Sequence, residues 1–182
     1  MADPVGQRQK LKPRELIEAL ERFEVDYVAI GGIAALAHGS QQLTQDFDLM
    51  IERSSENCRR AIKALLTVEA EICLSGNRRA SLDPNADPGW LAQGEHFFDS
   101  AVGGIDIRDP KRVPGSRSYD DLRADALQEK LSDGATVWIV SRNDLLAMKR
   151  AAGREKDKQV VAELEALDSA QPRHDESPHP TP

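Results

Sequence analysis

The sequence predicts a single α/β or α+β domain, and three observations lead there. Two apolar runs of strand length, 25–30 (VDYVAI) and 135–140 (ATVWIV), each lead into a helical segment. Residues 45–51 (QDFDLMI) alternate polar and apolar with the period of a half-buried strand. Leu16, Leu20 and Phe23, and further on Ile62, Leu65 and Leu66, fall at helical spacing. A chain of 182 residues, 40% apolar and 30% charged, can bury a proper core as one globular domain.

Taken in order, residues 1–12 are polar and aperiodic and predict a flexible arm. A helix is expected from Pro13, a residue suited to a first turn. Strand 25–30 stops at Gly31-Gly32, a short alanine-rich helix (IAALAH) follows, and Gly39-Ser40 closes it. After strand 45–51, Ser54 is a fitting N-cap for the next helix. Residues 69–74 predict a short strand, and 75–95 a long loop with a short helix near Trp90. HFFDSAV and GGIDIR, 96–108, predict two adjacent strands or one bulged strand around Gly103-Gly104. A turn-rich loop (109–118) and a helix (119–131) come next. Strand 135–140 leads to a helix capped by Ser141, with Asp144 placed as in a capping box. That helix breaks at Gly153, and a last helix spans 155–167. The domain is thus expected over 13–168, with a proline- and charge-rich disordered tail at 169–182.

Composition narrows the function classes. No run approaches the roughly 18 apolar residues that span a bilayer, and the first residues lack the apolar core of a secretory signal. The two cysteines, Cys58 and Cys73, have no metal or redox spacing, which suggests a reducing, cytoplasmic setting. A net charge of −7 argues against non-specific coating of nucleic acid, although basic residues gather between Lys149 and Lys158.

Asp46 and Asp48 sit two apart on one strand, so their side chains share a face while Phe47 and Leu49 take the other. Asp106 lies between Ile105 and Ile107 on a second strand-like segment. Adjacent strands are about 5 Å apart, close enough to gather three carboxylates that repel unless a cation intervenes. Hard oxygen ligands of this kind suit Mg²⁺, which completes its shell with water and phosphate oxygens. Alternating aspartates also solvate exposed sheet faces, so the spacing by itself leaves both readings open. Gly31-Gly32, between a strand and a helix, adds a possible anion site, since a phosphate can approach a backbone without Cβ atoms. An ordinary tight turn accounts for it equally well.

The stretch AIGGIAALAHGSQQLTQDFDLMI resembles the DNA polymerase β-type nucleotidyltransferase superfamily. Its signature is an apolar residue, Gly-Gly or Gly-Ser, a spacer, then Asp-apolar-Asp-apolar; the spacer from Ile33 to Gln45 is thirteen residues here. Within the superfamily the chain looks most like minimal nucleotidyltransferases and AbiEii-type toxins. His38-Gly39, Thr44, and the later pattern Ser141, Asp144-Leu145, Lys149, Arg154 and Asp157 carry that likeness. The resemblance implies a nucleotidyltransferase fold: a mixed β-sheet with flanking helices and a C-terminal helical part. It implies two Mg²⁺ ions on Asp46, Asp48 and Asp106, with Asp106 also helping to activate an acceptor hydroxyl. Gly31, Gly32, Ser40, Thr44 and Lys149 would bind the NTP, and tRNA or a protein would be the acceptor. A cognate antitoxin would be a partner, and an antibiotic-modifying enzyme is the related small-molecule alternative. Arg154 and Asp157, spaced i,i+3, can equally pair on their helix. One position departs from the pattern: relatives usually carry arginine where this chain has Gln42, which cannot supply a guanidinium's charge. That opens the further alternative of a non-catalytic nucleotide-binding or partner module on the same fold.

Overall fold

A computed structural model describes residues 9–75, 78–132 and 134–170. The elements in order are α1 (Pro13–Arg22), β1 (Tyr27–Ala29), α2 (Gly31–Ala37), β2 (Asp46–Ile51), α3 (Ser55–Thr67), β3 (Glu71–Cys73), β4 (Arg79–Ser81) and α4 (Pro88–Leu91). They continue with β5 (His96–Ser100), β6 (Gly103–Ile107), a 3-10 turn (Pro110–Arg112), α5 (Tyr119–Ala124), β7 (Leu127–Lys130), β8 (Thr136–Ile139), α6 (Arg142–Ala152) and α7 (Glu155–Ala170).

The eight strands form one mixed sheet in the order β4-β3-β5-β6-β2-β1-β8-β7. β2 pairs parallel with β6 and β1 parallel with β8, while every other neighbour is antiparallel. The central strands are β1, β2 and β6. Their apolar residues Val28, Phe47, Leu49, Ile105 and Ile107 are buried with Leu16 and Ile17 of α1 and Leu65 of α3. Among the described residues, thirty-nine buried apolar side chains make one continuous core, enough to hold the central strands rigid and so fix the residues that project from them. α1 packs on α3, α2 on β2 and α6, and α6 on α7.

Local chemistry sets most of the helix ends. Ser54 accepts from the Asn57 N–H at 3.2 Å, and Ser141 accepts from the Asp144 N–H at 3.2 Å. Gly153 ends α6 in the left-handed conformation (φ 63°). The 96–108 segment is two antiparallel strands, not one bulged strand.

Three expectations change. The predicted helix over 119–131 is α5 followed by β7, because 127–130 pairs with β8 through a turn in which Gly134 takes φ 89°. The loop 75–95 contributes the short edge strand β4 as well as α4. The final helix reaches Ala170 rather than 167; of the predicted tail, 171–182 lies outside the described residues. So does most of the predicted arm, but its end is docked: the Lys12 N–H donates to the Val102 carbonyl at 2.9 Å. No helix among the described residues is long and apolar enough to cross a membrane.

Candidate active site

The register of β2 on β6 builds the site. Asp48 lies opposite Asp106 and Asp46 opposite Gly104. Partners in a parallel pair project from the same face, and so do residues two apart on one strand. Asp46, Asp48 and Asp106 therefore emerge together, and all three line one cavity of about 620 Å³ between the sheet, α2, α6 and α7.

Glycines make room for these side chains. A Cβ on Gly104 would collide with the Asp46 carboxylate, and one on Gly31 with the Asp48 carboxylate. A Cβ on Gly32 would collide with the Thr44 side chain, whose hydroxyl donates to the Asp46 carbonyl at 2.9 Å. The space left by Gly31 and Gly32 is thus filled by the chain's own Asp48 and Thr44. Gly31 also holds φ 61°, a conformation that favours glycine.

The charges are unevenly distributed around the cavity. Burial pushes the Asp48 carboxyl above the usual carboxylate range; Arg108, Lys149 and Lys156 oppose that rise and Asp46 adds to it. Arg108 reaches the sheet side, with Nη1 3.5 Å from Asp48 Oδ1 and Nε 2.7 Å from Glu95 Oε1. On the helical side, Lys149 Nζ donates to Asp157 Oδ1 at 2.8 Å, and Arg154 Nε donates to Asp157 Oδ2 at 2.5 Å. Asp157 is fully buried. Burial alone would raise its carboxyl, but the hydrogen bonds from Arg154 and Lys149 outweigh that and hold it below the ordinary range.

Among the residues expected to bind nucleotide, Gly31, Gly32, Thr44 and Lys149 line the cavity, and Ser40 does not. Ser40 is buried, and its hydroxyl donates to Glu163 Oε2 at 2.7 Å. Glu163, on α7, also accepts from the Gln41 N–H at 3.1 Å and from Gln42 Nε2 at 2.6 Å. Gln42 therefore helps fasten the α2–β2 loop to α7. His38 is likewise structural, donating from Nε2 to the Val140 carbonyl at 2.9 Å. Of the aromatic residues, Phe98 is core, whereas Phe97 is exposed and lies opposite Asp106 in the β5–β6 register.

Sequence reasoning passed over Arg108, Gly104 and Glu163. The first was findable: Asp106-Ile-Arg108 continues the same alternation that singled out the aspartates. Glu163 carries no such signal, because its partners are more than 120 residues away in the chain.

The donor set fits a hard divalent cation by type, being carboxylate oxygen throughout. Among the described residues, no three His, Cys, Asp or Glu side chains are disposed to hold an ion by themselves. Asp46, Asp48 and Asp106 thus share one cavity without forming a ready three-carboxylate cage.

No family model matches the chain, and no curated protein matches it in sequence. Solved structures do match it in fold. A lincosamide antibiotic adenylyltransferase, LnuA, with lincomycin bound superposes with a TM-score of 0.60 at 15% identity, over 87% of this chain and 99% of that one. An antigenic nucleotidyltransferase-like protein from Paracoccidioides brasiliensis superposes with a TM-score of 0.52 at 19% identity, over 86% of this chain and 78% of that one. The mixed sheet with its helices is the nucleotidyltransferase fold.

Proposed function

We propose that this chain is an Mg²⁺-dependent nucleotidyltransferase that moves a nucleoside monophosphate from an NTP to a hydroxyl acceptor. The observation that carries the proposal is the register that places Asp48 beside Asp106, with Asp46 on the same face of one cavity. In this reading Asp46, Asp48 and Asp106 hold one or two Mg²⁺ ions. A bound ion supplies Lewis-acid stabilisation of the charge that develops on the phosphate. Lys149 and Lys156, on the helical side of the cavity, favour the triphosphate by their positive charge, while Arg154 is engaged with Asp157. Asp106 takes the proton from the acceptor hydroxyl as its oxygen bonds to the α-phosphorus. The bond from that phosphorus to the bridging oxygen breaks, and pyrophosphate leaves.

The acceptor we favour is tRNA or a protein hydroxyl, as for the toxin of a toxin–antitoxin pair with a cognate antitoxin, acting in the cytoplasm. A small-molecule acceptor is the second reading; the fold shared with a lincosamide adenylyltransferase over 99% of that chain supports it. Incubation with each α-³²P-labelled NTP and Mg²⁺, against cellular RNA, protein and a panel of hydroxylated antibiotics, separates these acceptors. Transfer is expected with one class and should vanish in Asp46→Asn with Asp48→Asn. Tight NTP binding by calorimetry with no transfer to any class would instead identify a non-catalytic binding module.

A further inference from the structure

Arg108 stands where a cation on Asp48 would feel it most. Its backbone is clamped, with its N–H donating to the Leu49 carbonyl at 2.8 Å and its own carbonyl accepting from Arg53 Nη2 at 2.9 Å. Only the side chain is left to move. One end of the guanidinium is anchored, since Nε donates to Glu95 Oε1 at 2.7 Å. The other end is not: Nη1 lies 3.5 Å from Asp48 Oδ1, an ion pair too long for a good hydrogen bond. The guanidinium also lies over the exposed Phe97 ring, 5.8 Å from its centroid. Anchored on Glu95 and resting on an aromatic face, it can turn away from Asp48 without losing its charge partner. Of the two lysines that also act on Asp48, Lys149 and Lys156, Lys149 is paired with the buried Asp157.

We infer that Arg108 is the chain's built-in competitor for the divalent ion, with Glu95 as its parking place, so that this pair sets metal affinity at Asp48. In the nucleotide-free protein the guanidinium neutralises part of the Asp48 charge and repels a second cation from it. When a triphosphate adds its own negative charge and oxygen ligands, the balance shifts, and Arg108 retires onto Glu95. Loading of the ion is thereby tied to the arrival of the nucleotide. The inference rests on the metal reading of the three aspartates given above.

Opposite responses from two variants test it. Mn²⁺ binding is measured without nucleotide by electron paramagnetic resonance, and Mg²⁺ binding by calorimetry, with thermal melts to verify folding. Arg108→Gln is expected to tighten nucleotide-free Mn²⁺ binding by about fivefold, the scale of one partly screened charge contact. Arg108→Lys, which keeps the charge, should restore most of the native affinity. Glu95→Gln removes the anchor and lets the guanidinium settle on Asp48, so it should weaken binding by a similar factor. A merely structural role for the pair would move both variants in the same direction. Unchanged or weakened binding in Arg108→Gln would overturn the inference, as would tighter binding in Glu95→Gln. If Arg108→Gln fails to fold, Glu95→Gln decides alone by the sign of its shift. Native protein that binds Mn²⁺ while both variants match it refutes this inference only. Native protein that binds no Mn²⁺ at millimolar concentration refutes the metal reading as well.

Discussion

At Gly31 the backbone turns from β1 into α2 with φ 61°, and an added methyl group would run into the Asp48 carboxylate. At Gly104 no such φ applies, but an added methyl would run into Asp46. The two positions therefore separate strain from site geometry. Gly31→Ala should lower stability by about 1–2 kcal/mol from the left-handed backbone alone, and displace Asp48 besides. Gly104→Ala should leave the melting temperature nearly unchanged while turning Asp46 aside, cutting nucleotidyl transfer by about 100-fold, the usual penalty for misplacing a reacting group by an ångström. Differential scanning fluorimetry and the labelled-NTP assay on both variants check this. Gln42 belongs at this scale too. It lines the cavity, and its side-chain amide donates to Glu163, so it contributes to fastening the loop but brings no charge to the cavity.

Among the elements, α6 and α7 are joined by an ion cluster around the buried Asp157. Lys149 comes from α6, Arg154 from the turn after Gly153, and Asp157 from the first turn of α7. Asp157→Asn leaves Lys149 buried without a counter-charge, which costs about 3–5 kcal/mol and lowers the melting temperature by about 10 °C in a chain of this size. The pH dependence follows from the depressed carboxyl of Asp157. Its contribution is fully present above the ordinary value of 3.8 and is lost as pH falls through its lower folded value. Melts of native protein and Asp157→Asn should therefore differ at pH 7 and converge at strongly acid pH. Elements also show where sequence patterning runs out. The segment 127–130 (LQEK) has neither strand alternation nor β-branched residues, and becomes β7 only because β8 offers an edge to pair with.

Over the whole molecule, the core fixes the central strands, and those strands carry the carboxylates. The site is consequently preorganised except for its charge: burial holds the Asp48 carboxyl above its usual range. An ion and nucleotide that bind only the folded chain should stabilise it by mass action. At 100 times the dissociation constant this amounts to about 2.7 kcal/mol, or about 5–10 °C in melting temperature for a domain of this length. Mg²⁺ with the substrate NTP should give the full shift in scanning fluorimetry, a chelator should abolish it, and the Asp46→Asn, Asp48→Asn double variant should show none.

The sequence by itself determined the α/β class, the capped starts of α3 and α6, and the shared face of Asp46 and Asp48. Each follows from spacing or from a side chain acting on its own backbone, which are local effects. It also marked Asp106, Gly31, Gly32, Thr44 and Lys149, which the fold gathers around one cavity. Only the tertiary structure decided which strand lies beside β2, and hence that Asp106 stands opposite Asp48 while Gly104 yields to Asp46. It also moved Ser40 out of the cavity onto Glu163, and brought Arg108 to Asp48 and Glu95 to Arg108. Those outcomes rest on pairings between residues far apart in the chain, and strand register is set by how whole faces pack rather than by any one segment.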